Sequence, residues 1–531
     1  MIEDLFEGAF ADTLKRVFVP CKKVVSSMNC TNSGIIPGNK IIRNFVASDY
    51  PECIVDQDGF ILLDFGRELA GGIKIVTSTS GGSKVRIRFG ESVSECCGEP
   101  NGDHAFHDAV LTLPAYASLD FGNTGFRFVR LDVLDGTLAI LNVIAIAEMR
   151  ELKKSGTFTS SDERLNAIYD TAVHTVHLNI QDYIYDGIKR DRLIWGGDMH
   201  PEVAAILRVF GAIDEIDNSL EQLCFHTLPG KFINTLSSYP LWVMLCIHDF
   251  WFYSGRQDIL EKYAPYIEKT SAEYSSVVLP DGTFDMPGEH LFLDWPSDYD
   301  KERVLAGLQG LLALALTAAI SMKTSLGTDT SAEVSAVENL KKRVLDSKLH
   351  KTASALQQLA GLADRSNVFE HEPFKDVSTF LGYYVLLAKK NRAALELIKN
   401  FWGGMIDMGA TSFWEDFNLD WCKNATRIDE MPVPGRPDIH ADFGDHCYKG
   451  LRHSLCHGWA AGPAAWCSTK ILGIVPIEPG FRKVSFTPDL CGLKWAKGTV
   501  PTPYGIIRVS LKEDKEPVIE LPDGVTLVKN R

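Results

Sequence analysis

Positive charge is in short supply in this chain. Its 531 residues carry 54 lysines and arginines against 69 aspartates and glutamates, a net charge of −15 at pH 7. That deficit argues against nucleic acid or an anionic membrane surface as partner, because both are bound through clustered cations; a neutral ligand suits it better. Disulfide and zinc spacing are lacking too. Twelve cysteines run from Cys21 to Cys491, but neither the adjacent Cys96-Cys97 nor the isolated Cys224 and Cys246 fit either pattern. They read as free thiols of a reducing compartment. The histidines show no HExxH-type spacing, so neither a metal nor another cofactor is expected. The N-terminus, MIEDLFEGAFADTLKR, lacks the basic cluster and long apolar core of a secretion signal, so a cytoplasmic location is expected. One apolar run, 304–322, is long enough to span a bilayer. It is rich in Ala and Gly, contains Gln309 and Thr317 and stands alone, so it reads as the inner helix of a large helical domain. No internal repeat is visible.

What is present is an ordinary globular composition, 45% hydrophobic and 23% charged, at a length that calls for about two to four domains. Residues 1–156 look strand-rich. Phe60–Phe65, Ile73–Val76, Lys84–Phe89 and Phe126–Leu131 alternate or run apolar, with Gly71-Gly72 and Gly81-Gly82 as expected turns. An antiparallel β-sandwich without a catalytic constellation is the reading. At Ser160 and Glu163 a capping box opens a helical region, 157–473. Helical runs are expected at 214–226, 238–254, 257–277, 302–324, 331–348, 377–401 and 455–472. Those at 238–252 and 304–322 are apolar nearly all round, which suits two concentric layers of helices. From residue 474 to 531 strands return, at Lys483–Phe486, Ile506–Leu511 and Val518–Leu521, as a small C-terminal β-domain.

Chemistry concentrates in loops of the helical region. The stretch YDGIKRDRLIWGGDMHPE (185–202) packs Asp186, Asp191 and Asp198 among Arg190, Arg192 and Trp195. Asp198 is placed to cap the following helix. Such crowding pushes carboxyl pKa values apart, as acid catalysis on a sugar requires; an Asp–Arg lattice that merely ties a loop down would look the same. Three further clusters join it. Glu289-His290 precedes Asp294-Trp295. GATSFWEDFNLDW (409–421) carries Trp414, Glu415, Asp416, Asp420 and Trp421. HADFGDHCYKGLRHSLCHGW (440–459) carries His440, His446, His453, His457 and Trp459. Aromatic rings beside carboxylates are how proteins hold sugar rings, and glycosidic cleavage needs two carboxyl groups flanking the anomeric carbon. The histidines admit a metal reading, but their spacing gives it weak support.

These motifs resemble those of α-L-rhamnosidases of glycoside hydrolase family 78. KRDRLIWGGD (189–198) is similar to the family's RDERLGWTGD, GATSFWEDF (409–417) to its GATTIWERW, and SLCHGWAAGP (454–463) holds the place of its SLNH segment. The order of domains is similar as well: β-sandwich, six-hairpin (α/α)6 toroid, and a small C-terminal β-sandwich containing LKWAKGTVPTPYG (493–505). The resemblance implies an inverting glycoside hydrolase that removes terminal α-L-rhamnose from small rhamnosides. It implies Asp191 as general acid and Glu415 as general base. Asp186, Arg190, Trp195, Asp198 and His457 then match substrate-binding positions, and Asp294, Trp295 and Trp414 join them as sugar-contacting residues. This chain departs from the pattern in three ways. The stretch from Asp186 to Trp195 is one residue shorter, so Asp186 and Asp191 compete for the role of acid. Asp416 replaces an arginine, and the extra β-domains of larger members are missing. Another six-hairpin glycosidase, a polysaccharide lyase or a non-catalytic sugar-binding protein are the alternatives. The implied partner is a small rhamnoside, with no nucleic acid or membrane; a homodimer is compatible with the sequence.

Overall fold

The computed structural model describes residues 12–44, 50–99, 107–228, 230–288, 290–297, 299–446 and 448–528. Glu289 and the first eleven residues lie outside that set. The chain opens with β1 (Leu14–Pro20), β2 (Lys23–Thr31), β3 (Cys53–Thr77), β4 (Ser83–Gly90), a short α1 (Val93–Cys97), β5 (Asp108–Leu113), β6 (Ser118–Asp135) and β7 (Leu138–Arg150). The strands form one sheet in the order β1-β7-β3-β6-β4-β5, with β2 also on β3. Alternate residues such as Ile61, Leu63, Ile73, Ile75, Phe126 and Leu131 face a core of their own, as a period of two dictates. Gly71-Gly72 is not the expected turn but lies inside the 25-residue β3. A Cβ at Gly71 would stand 2.1 Å from the Ile146 carbonyl, and one at Gly72 2.2 Å from that of Gly122. Glycine is used there so that the neighbouring strands can close in.

β8 (Thr157–Ser160) precedes the helices but pairs with a C-terminal strand. Then come α2 (Glu163–Asn179), α3 (Met199–Val209), α4 (Asp214–His226), α5 (Tyr239–Ser254), α6 (Gln257–Ser276), α7 (Lys301–Leu326), α8 (Ser331–Lys342), α9 (Lys351–Leu359), α10 (Gly382–Ala388), α11 (Asn391–Asp407) and α12 (Gly462–Trp466). The cap of α2 is Asp162, which accepts the Leu165 amide, and not Ser160. The apolar α5 and α7 are inner helices: α7 packs against α5, α6, α8 and α9. By length and composition α7 could cross a membrane, but 72% of its apolar window is buried inside the molecule. Its Gln309 is satisfied there, donating to Arg343 O at 2.7 Å and accepting from Leu345 N at 2.9 Å.

Two expected helices end early or divide. The run 331–348 stops at Lys342, where Gln309 takes over the following backbone. The run 377–401 breaks at Lys389, whose backbone is extended while its buried ammonium donates to Phe369 O at 2.7 Å. The 455–472 run is a 3-10 turn, α12 and a π-turn in succession. α9 was not anticipated. The chain closes with β9 (Ile474–Pro476), β10 (Lys483–Phe486), β11 (Trp495–Thr502), β12 (Gly505–Lys512), β13 (Val518–Glu520) and β14 (Thr526–Leu527). They make a three-stranded sheet, β14-β10-β9, and a four-stranded one, β13-β12-β11-β8. In β12 Ile507, Val509 and Leu511 point inward and Arg508, Ser510 and Lys512 outward. Those inward residues belong to the same core as the helices.

A buried ion pair joins the N-terminal β-domain to the helical region. Arg127 on β6 grips Asp64 on β3 with two hydrogen bonds of 2.9 Å, and its Nη1 donates to Gly409 O at 2.9 Å. Removing one partner of such a pair strands a buried charge, so Arg127→Ala should lower unfolding free energy by about 3–5 kcal/mol. Chemical denaturation would measure it. A loss below roughly 1 kcal/mol, the range of exposed pairs, would show that the interface does not depend on it.

Candidate active site

The loop 185–198 is closed by its own first carboxylate. Asp186 accepts the amides of Asp191 and Leu193, each at 2.9 Å. Its main-chain carbonyl accepts Gly458 N–H at 2.7 Å, and Gly187 bridges His457, so the loop is zipped to the 454–459 segment. Burial pushes Asp186 up to about 6, with the His457 charge opposing and Asp198 reinforcing the shift. The Asp191 carboxyl lies at the rim, about a quarter exposed, with Arg452 Nη2 3.5 Å from its Oδ1. Arg192 turns away to Asn123, donating to its carbonyl at 2.8 Å and to its side chain at 3.1 Å.

Asp198 does not cap α3. Its backbone is already helical and its side chain makes no cap bond. The carboxyl instead turns into the pocket, where His457 Nε2 is 3.0 Å from Oδ1 and the Tyr239 hydroxyl 3.4 Å from Oδ2. Burial raises Asp198 to about 8. Across the imidazole, His457 Nδ1 is 3.8 Å from Glu415 Oε1. Two carboxyl groups thus face opposite edges of one ring. Burial lowers His457 to about 4, so the ring is neutral near pH 7. The Nε2 edge is hydrogen-bonded to Asp198, while Nδ1 makes no hydrogen bond among the described residues.

Glu415 is fixed by its surroundings. Its Oε2 accepts Ser454 N–H at 3.0 Å, its amide donates to Ser454 O at 3.0 Å, and Trp459 Nε1 donates to its carbonyl at 3.1 Å. Burial pushes its carboxyl well above the ordinary range; the Ser454 amide, Arg190 and Arg452 pull the other way, and the Asp186 charge adds to the rise. On the far side Asp294 accepts from the Ser378 hydroxyl at 2.6 Å and is raised to about 7 by burial. Asp416 is raised to about 6 for the same reason.

Aromatic side chains form a collar round these acids. Tyr239 meets Trp195 edge-on at 6.1 Å and Phe292 at 6.3 Å. Phe292 meets Trp295 at 4.9 Å, Trp295 meets Tyr448 at 5.9 Å, and Trp459 lies 4.3 Å from His457. Trp195 and Trp295 are partly exposed and available as ring platforms. Trp414 is not: it is 0% exposed, packed edge-on against Phe417 and His453, and serves the core. Arg190 also departs from its expected place beside the substrate. It is buried and turned toward the β-domain, 3.2 Å from Glu95 and 3.7 Å from Glu91. The reason is that two buried carboxylates there need a partner. His440 and His453 are wholly buried in the layer behind, where His440 Nε2 donates to His453 O at 2.8 Å. Among the described residues no group of three or more His, Cys, Asp or Glu is arranged to hold a metal.

The sequence reading missed Glu202, Tyr239 and Arg452. Glu202 is buried behind Asp198, its pKa driven well up by burial and by the charges of Asp198 and Asp186. Its Oε1 has no hydrogen-bond partner among the described residues. A Cβ at Gly458 would fall 1.4 Å from that oxygen, so only glycine fits there. The i, i+4 spacing of Asp198 and Glu202 on a helix start was the available signal.

Residues 153–299 match the family model described as bacterial alpha-L-rhamnosidase 6 hairpin glycosidase domain, and residues 473–526 that of the bacterial alpha-L-rhamnosidase C-terminal domain. An alpha-L-rhamnosidase of Alteromonas sp. (strain LOR) is 24% identical over 513 residues, which cover 85% of this chain and 53% of the relative. The chain therefore spans about half the length of that curated relative. Among solved structures, a GH78 family rhamnosidase of Bacillus sp. GL1 superposes with a TM-score of 0.68 at 18% identity, covering 94% of this chain and 56% of that one. A rhamnosidase from Klebsiella oxytoca with rhamnose bound gives 0.67 at 18% identity, covering 86% and 96%. The resemblance seen in the motifs thus extends to both matched domains and to the fold: N-terminal sheet, helices and C-terminal sheets in this order.

A carboxyl whose folded pKa is raised above its unfolded value stabilises the fold only while protonated. Its contribution is complete below the unfolded value and is lost as pH rises through the folded one. Asp198, near 8 when folded, should therefore cost stability as pH climbs from about 4 to 8. Asp198→Asn mimics the protonated form without titrating. We expect its melting temperature to fall less than the wild type's between pH 5 and pH 9, so that the variant is the more stable at the alkaline end. Parallel curves for the two proteins would contradict a protonated Asp198.

Proposed function

We propose that this chain, whose matched domains are those of bacterial α-L-rhamnosidases, is an inverting α-L-rhamnosidase acting on small rhamnosides, with its helices arranged as an (α/α)6 toroid. The observation that carries this reading is the pairing of Glu415 with the Asp191 loop around His457. Asp191 stands at the rim, its carboxyl 3.5 Å from Arg452 and its amide held by Asp186. Glu415 lies one imidazole's width from Asp198. Inversion needs two carboxyls on separate loops, roughly 6.5–9.5 Å apart so that a water fits between acid and base, and Asp191 and Glu415 are the pair this reading assigns.

Each residue then has a part. Asp191 gives its proton to the glycosidic oxygen as the bond from that oxygen to the anomeric carbon breaks. Glu415 takes a proton from the water that attacks the opposite face, so the sugar leaves with inverted configuration and the leaving group as an alcohol. Asp198, Asp294 and His457 bond the ring hydroxyls, and Trp195 and Trp295 cover its apolar edges. Asp186 holds the loop shape, since both its oxygens already accept amides. The free thiols, eleven of them among the described residues, support a reducing, cytoplasmic setting.

Glu415→Gln should fold normally and lose roughly 10²–10⁴-fold in kcat on p-nitrophenyl α-L-rhamnoside. Because the base must be ionised and burial raises its pKa, the acidic limb of kcat/KM in the wild type should lie above the ordinary carboxylate range. Near-wild-type turnover in the folded variant would remove Glu415 from the mechanism.

The choice between Asp191 and Asp186 rests on leaving-group dependence. A phenolate leaves without help, whereas an alkoxide needs the proton. Asp191→Asn should therefore lose far more on methyl α-L-rhamnoside than on the p-nitrophenyl substrate, and Asp186→Asn should lose similarly on both. The reverse pattern would transfer the role to Asp186.

A further inference from the structure

The N-terminal β-domain was expected to hold no catalytic constellation, yet its short helix α1 packs directly behind the loops of the candidate site. Ser92 caps α1, accepting Glu95 N–H at 3.1 Å, and its hydroxyl pairs with His440 Nδ1 at 2.6 Å. Ser94 donates to Asp438 at 2.6 Å, and Val93 N–H to Ile428 O at 2.8 Å. The helix is thus clamped to the loops of the helical domain on three sides.

Two glutamates lie in this clamp, Glu91 just before the helix and Glu95 on it; both approach Arg190, at 3.7 and 3.2 Å, and each has a further contact that leads to a different catalytic carboxyl. Glu95 Oε1 pairs with Lys189 and, at 3.2 Å, with Arg190. These are the two residues immediately before Asp191. Arg190 also donates to Leu451 O, next to Arg452, which itself approaches Asp191. Burial pushes Glu95 up, but Lys189 and Arg190 outweigh it and hold it down at about 2, so the anchor is charged. Glu91 takes the other side. Its Oε2 accepts Leu455 N–H at 3.0 Å, while Glu415 accepts the amide of the preceding residue, Ser454, at 3.0 Å. Glu91 and Glu415 therefore grip successive amides of one strand of chain. Lys189, Arg190, Glu91 and Glu95 are all at most 2% exposed, so this is no surface lattice.

We infer that the 91–97 segment of the β-domain, α1 and the residues that lead into it, positions both catalytic carboxyls, Glu95 setting the general acid Asp191 through Lys189-Arg190, and Glu91 setting the general base Glu415 through the 454–455 backbone. The inference rests on the reading of the chain as a rhamnosidase and adds a division of labour that neither motif contains. Glu91 and Glu95 are positioning residues: neither is placed to touch the sugar.

The leaving group separates this role from a merely structural one. A fold-wide defect lowers kcat on every substrate alike. A displaced acid hurts only those that need a proton, and a displaced base hurts all equally. kcat/KM is measured for methyl and p-nitrophenyl α-L-rhamnoside in the full chain and its variants. Glu95→Gln should lose at least about tenfold more on the methyl than on the aryl substrate. Glu91→Gln should lose on both by the same factor and also move the acidic limb of kcat/KM, which Glu415 sets and a fold-wide defect leaves in place. If a glutamine variant fails to fold, Glu95→Asp and Glu91→Asp keep the charge, withdraw it by one methylene, and should show the same two patterns in milder form. Equal losses for Glu95, or a selective loss for Glu91, would overturn the assignment. A wild type that cleaves neither rhamnoside takes down the proposed function and the inference with it. A wild type that cleaves both, with Glu95→Gln keeping its substrate ratio, takes down the inference alone.

Discussion

The arrangement of the candidate site depends on the burial of Lys189 and Arg190 against Glu91 and Glu95. Four ionisable groups out of water are a poor source of stability, and burial pushes Glu91 up to about 7. Each loses several kcal/mol of solvation, and well-packed apolar residues would serve the fold equally well or better. What such a knot does supply is exclusivity. Any other docking of the β-domain leaves a charge buried and unpaired, at a cost of about 3–5 kcal/mol per broken pair. The loop that carries Asp191 therefore has one low-energy position. Arg127, bonded to Asp64 and to Gly409 O, applies the same constraint at the start of the segment that carries Glu415.

The pocket that results is short of cations. Burial raises Asp186, Asp198, Glu202 and Glu415 near His457, and Asp294 and Asp416 as well. Several must hold protons near pH 7, which turns them from acceptors into donors. That mixture suits a ring of hydroxyl groups, each of which both donates and accepts. His457 is neutral all the same: nearby acids favour the imidazolium, but burial outweighs them.

Much of this was legible before any coordinates. Periods of 2 and 3.6 located β4, β10, β12, α4, α5 and α7 closely, because burial on one face or on all faces leaves its mark on hydropathy. The loops carrying Asp186, Asp191, Asp198, Glu415 and His457 were marked by acids and aromatics gathered within a few residues. What sequence could not provide was direction. Trp414 and Glu415 are neighbours, yet one points into the core and the other into the pocket. Arg190 and Asp191 are neighbours, yet one serves the β-domain and the other the rim. Asp198 satisfied every local rule for a helix cap and was drawn off by a histidine 259 residues away. Glu91 and Glu95 sit in a strand-rich stretch with no motif, and only their partners 94 or more residues along the chain give them meaning.

The same non-local logic explains why the domains cannot be read as beads. β8 leaves the N-terminal side of the helices to become the edge of the C-terminal sheet, and β12 packs its inward residues into the helical core. The Asp186 loop is held from one side by α1 and from the other by the 457–458 backbone. Loops like these carry little conformational preference of their own, since neither helix nor strand periodicity governs them. Their shape is therefore a consequence of three domains closing together. The loops that carry Asp191 and Glu415 take their places only once all three domains have closed, and a β-domain with no chemistry of its own lies directly behind both.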